Sequence, residues 1–154
     1  TGLSNETIKL LKKHSKKIPI FWSPNMSIGA NILKQVASEI TLKVAKDFDI
    51  DITDIHHIQK RDTPSGTALS IKETIENTLK NKKIKKNVKV SAIRAGDSTG
   101  EHSVIFSGKG EKIIIKHIST SRNIFAHGAI EVAKWINLQK PGFYNMKDFL
   151  AGKG

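Results

Sequence analysis

The sequence contains no cysteine among its 154 residues. That excludes disulfide stapling and thiolate metal sites, and it agrees with a reducing compartment. No apolar run approaches the roughly 20 residues of a membrane span. The opening Thr-Gly-Leu-Ser-Asn-Glu also lacks the basic-then-apolar profile of a signal peptide. The expectation is a soluble, cytoplasmic protein without a membrane partner. A chain opening at Thr1 rather than Met reads as a piece of a longer one, cut, processed or expressed as a fragment. Aromatic side chains are few, at 6 %, and none interleaves with the lysine clusters to stack on bases.

Acidic residues are also scarce, 14 against 26 Lys and Arg, which leaves a formal charge of +12. That charge invites a nucleic-acid reading, but its distribution opposes one. The lysines gather at 12–17 and 80–89, at expected helix ends and links, and no nucleic-acid motif accompanies them. The charge reads as a surface property that helps to collect a small anion. Tight, salt-sensitive binding to nucleic acid is the contrary outcome.

Apolar residues make up 38 %, enough for a core. Ser4 is placed to cap a helix over 6–13, and 18–22 reads as a strand buried on both faces, as in a parallel sheet. Ser27 caps a helix whose Ile32, Leu33, Val36, Ala37, Ile40 and Val44 share one face. From Asp49 the period becomes two and predicts a long strand. A loop with a Pro-Ser-Gly turn leads to a helix from Thr67, with Ile71, Ile75 and Leu79 aligned. Strands are expected over 88–93, 102–106 and 112–118, the last two joined at Gly108-Lys109-Gly110. A final helix carries Phe125, Ala129, Val132, Ala133 and Ile136, and Pro141-Gly142 stops it. The order is α-β-α-β-α-β-β-β-α. Its ends read as parts of a helix-flanked parallel sheet, and 26–122 as a mixed or antiparallel sheet backed by helices.

The segment 56–67, His-His-Ile-Gln-Lys-Arg-Asp-Thr-Pro-Ser-Gly-Thr, concentrates the chemistry. His56 and His57 end a strand, so their side chains point to opposite faces. Lys60 follows at the rim of the loop, then Asp62 and the turn through Pro64. Ser65, Gly66 and Thr67 stand where a helix begins, and their N–H groups, hydroxyls and dipole can receive a carboxylate or phosphate. A cation and an imidazole beside that cradle supply charge neutralisation and proton transfer. Zinc is not expected, because no third ligand stands at a suitable spacing. His14, His102 and His117 read as surface or strand residues, and Trp22 and Trp135 as packing residues.

These residues carry a resemblance. His56-His57-x-x-Lys60-x-Asp62-x-Pro64-Ser65-Gly66-Thr67-Ala68 matches the signature of the dihydrodipicolinate reductase family, also called 4-hydroxy-tetrahydrodipicolinate reductase. Ser23-Pro24-Asn25-Met26-Ser27-Ile28-Gly29-Ala30-Asn31 resembles the family's segment joining nucleotide and substrate domains. Arg94-Ala95-Gly96-Asp97…Gly100-Glu101-His102 resembles its Arg-Ala-Gly-Asp…Gly-Glu-His strand pair. Ser121-Arg122-Asn123-Ile124-Phe125-Ala126-His127-Gly128 resembles its return to the nucleotide domain.

The resemblance implies an oxidoreductase that transfers hydride from NADH or NADPH to a cyclic dicarboxylic imine on the diaminopimelate route to lysine. It implies His56 as acid/base residue and Lys60 as proton donor and substrate contact. His57, Ser65, Gly66 and Thr67 would hold the carboxylates. Thr1 and Gly2, closing a glycine-rich loop, and Ser23, Pro24, Asn25 and Met26 would approach the cofactor. It further implies a Rossmann-like remnant at 1–25 and 123–154, and a substrate-binding and tetramerisation domain at 26–122. A homotetramer is expected, and assembly alone is the second reading. The family's Gly-x-x-Gly-x-x-Gly loop, with the acidic or basic residue that chooses between NADH and NADPH, is not in this sequence. The isolated 154 residues are therefore expected to bind cofactor poorly and to turn over little. The link at 80–87 is shorter than many members carry, and Arg94 and Arg122 are left to substrate or subunit contacts.

Overall fold

The computed structural model describes residues 2–152. Its elements run α1 (Asn5–His14), β1 (Pro19–Phe21), α2 (Ile28–Val44), β2 (Asp49–His56), α3 (Gly66–Asn81), β3 (Val88–Arg94), β4 (Glu101–Ser107), β5 (Lys112–Ile118), α4 (Asn123–Ile136), β6 (Gly142–Tyr144) and α5 (Met146–Ala151). The chain divides into two compact units, residues 1–31 with 123–154, and residues 32–122. The first division between these units falls at 31/32. Asn31 Nδ2 donates to the carbonyls of Asn25 (3.0 Å) and Ser27 (2.8 Å), and Ser27 Oγ accepts from the Ala30 N–H, so the first turn of α2 is bonded to the segment before it.

In the discontinuous unit β1 and β6 pair in parallel, with Ile20 opposite Phe143. The parallel pairing was expected; full burial was not found. Each residue of β1 is only half-buried, and Ile18 is exposed, because β6 is the one strand paired with it among the described residues. Ser4 caps α1 by accepting the Thr7 N–H at 3.1 Å. A small core joins Val132 of α4 to Met146 and Phe149 of α5, with Phe21, Met26 and Trp135 against it. On α4 Val132 is buried as expected, whereas Phe125, Ala129 and Ala133 are exposed and Gly128 is buried in their place. β6 and α5 follow Pro141, where no element was expected. Asn145 begins α5 with a capping box, its side chain bonding to the backbone while Asp148 reaches back to the Asn145 N–H.

The continuous unit holds a mixed four-stranded sheet in the order β3-β2-β4-β5. β2 runs parallel to β3 and antiparallel to β4, and β4 to β5 is antiparallel. The period-two segment at Asp49 becomes β2, with Ile50, Ile52, Asp54 and His56 all buried on one face. α2 and α3 cover that face. Leu33 and Ala37 from α2, and Ala68, Ile71, Ile75 and Leu79 from α3, meet Ile50, Ile52, Val88, Val104 and Phe106. Each large aliphatic or aromatic side chain so buried contributes about 1.5–3 kcal/mol. At its carboxyl end the same face stops being apolar, and the site begins there.

Candidate active site

Alternation along β2 aims Asp54 and His56 the same way as Ile50 and Ile52. Register brings Ala92 and His102 beside Asp54, and Arg94 beside His56. The result is a polar layer above the core. The Asp54 carboxylate is fully buried at its centre. Its Oδ2 accepts the Ser65 N–H at 2.8 Å and Arg94 Nη2 at 2.9 Å. Its Oδ1 accepts the Ser65 hydroxyl at 2.8 Å, with His102 Nε2 3.3 Å away. His56 Nδ1 lies 2.9 Å from the same oxygen, off the axis of an aligned hydrogen bond.

Burial alone would raise the Asp54 carboxyl. The bonds from His102, the Ser65 N–H, Arg94 and the Ser65 hydroxyl outweigh it and hold the carboxyl well below the usual carboxylate range. His56 moves the other way from a charged imidazole. Burial lowers it to about 4; Asp54 opposes the shift, while His102, Lys60 and Arg94 add to it. His56 is therefore neutral at neutral pH. Its ring packs against Gly100, where an added Cβ would stand 2.9 Å from Nε2, and Gly100 has φ 147°.

The loop after β2 is fixed at several points. The His57 N–H donates to Ser98 O at 2.8 Å, the Ile58 N–H to Gly96 O at 3.2 Å, and the Lys60 N–H to His57 O at 3.1 Å. Arg94 Nη2 also donates to Asp62 O at 2.7 Å. The peptide bond before Pro64 is cis. Lys60 Nζ pairs with Asp62 at 2.7 Å, and that bond leads, with the Gly66 N–H contributing, in keeping the Asp62 carboxyl below its ordinary value. His57 Nδ1 lies 3.1 Å from Gln59 Oε1, and its Nε2 is 3.5 Å from Arg122 Nη2. Ser65 caps α3 by accepting the Ala68 N–H, so Gly66 and Thr67 open the helix as expected.

The structure thus gathers His56, His57, Lys60, Ser65, Gly66 and Thr67 around one strand end, one loop and one helix start. Ser65 differs from expectation in one respect. Its hydroxyl and its N–H are both committed to Asp54, and only 2 % of its surface is exposed. The remaining expected residues belong to the other unit. Gly2 is exposed there. Ser23 Oγ donates to Asn25 O at 2.8 Å, Asn25 Oδ1 accepts the Ser27 N–H, Pro24 is exposed between them, and Met26 packs on the small core. Thr1 lies outside the described residues.

Sequence reasoning missed Asp54, and it read His102 as an ordinary strand residue. A charge at an even position in the 50/52/54/56 alternation was the available signal. The expectation that no third ligand stands near the histidines also needs correction. Asp54, His56 and His102 bring potential ligand atoms within 4.8 Å of one another. Yet the Arg94 guanidinium already supplies the cation on Asp54, and Ser65 lies 3.2 Å from His102 Nε2, so the cluster is an ion-pair network built from the chain's own groups.

Comparisons with known proteins place the chain in one family. A family model described as dihydrodipicolinate reductase, C-terminus, matches residues 29–150. The chain is 44% identical to a 4-hydroxy-tetrahydrodipicolinate reductase of Aquifex aeolicus, covering 97% of this chain and 61% of that protein. It is 48% identical to one of Wigglesworthia glossinidia brevipalpis, covering 97% and 56%. The chain therefore spans about three fifths of the length of these relatives. A dipicolinate-bound dihydrodipicolinate reductase from Paenisporosarcina sp. TG-14 shares the fold at TM-score 0.78 and 21% identity, over 94% of this chain and 60% of that one.

Proposed function

The chain belongs to the dihydrodipicolinate reductase family, and from that premise we propose that it is the C-terminal part of a reductase using NADH or NADPH. The substrate is 4-hydroxy-tetrahydrodipicolinate, which loses its 4-hydroxyl as water and takes up a hydride and a proton to give tetrahydrodipicolinate, on the diaminopimelate route to lysine. The observation that carries this reading is one turn. At the start of α3, beside the histidine pair, the Asp62 carboxylate meets both the Lys60 ammonium and the Gly66 N–H, the contacts a substrate carboxylate would take over. The dipicolinate bound by the relative of the same fold is itself a ring with two carboxylates, which this turn suits.

In this reading residues 32–122 hold the substrate, and the other unit belongs to the nucleotide-binding domain. Lys60, His57, Gly66 and Thr67 receive the carboxylates, and Ser65 shapes that cradle from its buried side. His56 is held neutral, so at neutral pH it accepts or shares a proton rather than arriving charged. Lys60 is the proton donor to the reduced ring. Gly2, Ser23, Pro24, Asn25 and Met26, with Thr1, would face the nicotinamide end. The Trp22 indole N–H beside that segment is buried without an acceptor, which fits a segment that takes on a polar partner. The nucleotide, when bound, supplies the hydride. A homotetramer and a cytoplasmic location complete the proposal; no helix among the described residues is long and apolar enough to cross a membrane.

The experiment is steady-state kinetics of the full-length enzyme with His56→Ala and Lys60→Ala. Each variant is expected to lose turnover by about 10²–10⁴-fold while nucleotide binding is retained. Near-normal rates in both would overturn the assignment.

A further inference from the structure

A carboxylate with no exposed surface needs a reason to be charged and a reason to be there. Arg94 supplies the first through Nη2 on Oδ2 at 2.9 Å. The second lies in what Asp54 holds. Both donors of Ser65, the residue that opens the anion-binding turn, end on its carboxylate at 2.8 Å. Arg94 extends the same anchor to the Asp62 carbonyl at 2.7 Å, in the middle of the loop that carries Lys60. The loop is thus clamped at Asp62 and at Ser65 by one buried ion pair. Asp54 itself has no exposed surface, so it acts through these neighbours.

We propose that Asp54 is the positioning residue of the dicarboxylate cradle, setting substrate affinity through the Ser65 turn with Arg94 as its counter-charge. The proposal rests on the reductase reading for the identity of the ligand. The hydrogen-bond arrangement also fixes a proton. Ser65 has one hydroxyl hydrogen, and it goes to Asp54 Oδ1. Ser65 Oγ, 3.2 Å from His102 Nε2, must then accept from that nitrogen. His102 is accordingly the Nε2–H tautomer, and its Nδ1 is buried without a partner.

Three measurements on the full-length enzyme test this. First, histidine-selective nitrogen NMR of the wild type should show His102 as the Nε2–H tautomer, and Ser65→Ala should disturb that signal. A wild-type Nδ1–H tautomer would overturn the network whatever the enzyme's activity. Second, dipicolinate titrated calorimetrically into Asp54→Asn should bind about 10- to 100-fold more weakly, as expected for losing charge-assisted bonds. Nucleotide affinity should stay within about twofold, whereas a generally loosened fold would weaken both. Third, Ser65→Ala should weaken dipicolinate in the same direction, and adding it to Asp54→Asn should cost little more, because the two share one interaction.

Effects that multiply would mean that Ser65 touches the ligand directly, and unchanged dipicolinate affinity in Asp54→Asn would also overturn the proposal. Should Asp54→Asn fail to fold, unchanged affinity in Ser65→Ala does the same. If the wild type binds no dipicolinate and oxidises no nucleotide, the reductase reading falls as well. If the wild type binds and the variants bind equally, only this inference falls.

Discussion

His56 ties its proposed acid/base role to stability through one proton. In the folded protein burial lowers it from the usual 6.5 to about 4, with Asp54 working in the opposite direction. Between those values the unfolded chain takes up a proton that the folded chain refuses. Stability from this residue is therefore complete above about pH 6.5 and is lost as the pH falls to about 4, below which both states are protonated. At about 1.4 kcal/mol per pH unit the loss approaches about 3 kcal/mol. His117, lowered by burial and by His102, adds to it in the same direction. Asp54 acts later, because its depressed carboxyl gives stability present above its unfolded value near 3.8 and lost only as the pH falls further. Urea midpoints measured from pH 7 to pH 4 should fall steadily, and His56→Gln should flatten part of that slope. An unchanged slope in the variant would separate His56 from the acid sensitivity.

Among the elements, α4 turns on a single missing side chain. A Cβ on Gly128 would stand 1.9 Å from the Met26 carbonyl, so the helix and the segment after β1 could not both keep their places. Gly128→Ala should cost about 1–3 kcal/mol despite the gain in helix propensity. Gly66→Ala, with nothing within 4 Å, should be neutral or slightly stabilising. Urea unfolding of the two variants checks the contrast, and equal effects would mean the close approach is not restrictive. Periodicity shows where such elements run, but not what they meet. The β5 strand over Lys112–Ile118 and the α3 stripe of Ile71, Ile75 and Leu79 were legible because burial repeats at the period of the backbone. The face of α4 was misread because a glycine buried by backbone contact leaves no apolar mark. α5 was missed although Asn145 and Asp148 carry its capping signal, because Pro141-Gly142 was taken as an end. The turn at 65–67, the proposed anion cradle, was legible as a helix start because all its parts are consecutive. Its support was not, because Arg94 and His102 meet Asp54 only through strand register, 40 and 48 residues away in sequence.

At the scale of the whole molecule, the open question is what covers the second face of the mixed sheet. α2 and α3 bury one face, and alternation sends Ile55, Ile93, Ile105, Ile114 and Ile118 to the other. Ile93, Ile114 and Ile118 are 48%, 57% and 53% exposed. Ile55 stands opposite Ile93 and Ile105 opposite Ile114, so the isoleucines form cross-strand pairs rather than scattered contacts. Lys116 interrupts them but is paired with Glu101 on the neighbouring strand, which lowers the cost of covering it. A sheet with helices on one side and paired isoleucines on the other is suited to a second sheet. The proposed homotetramer would use this face. Light scattering on the full-length enzyme should give a mass near four chains, and Ile93→Lys with Ile114→Lys should drive it to smaller species, since charges placed in a covered apolar patch must be desolvated without partners. A wild type that is monomeric at micromolar concentration, or a double variant that keeps its full mass, would show that this face is not where the subunits meet.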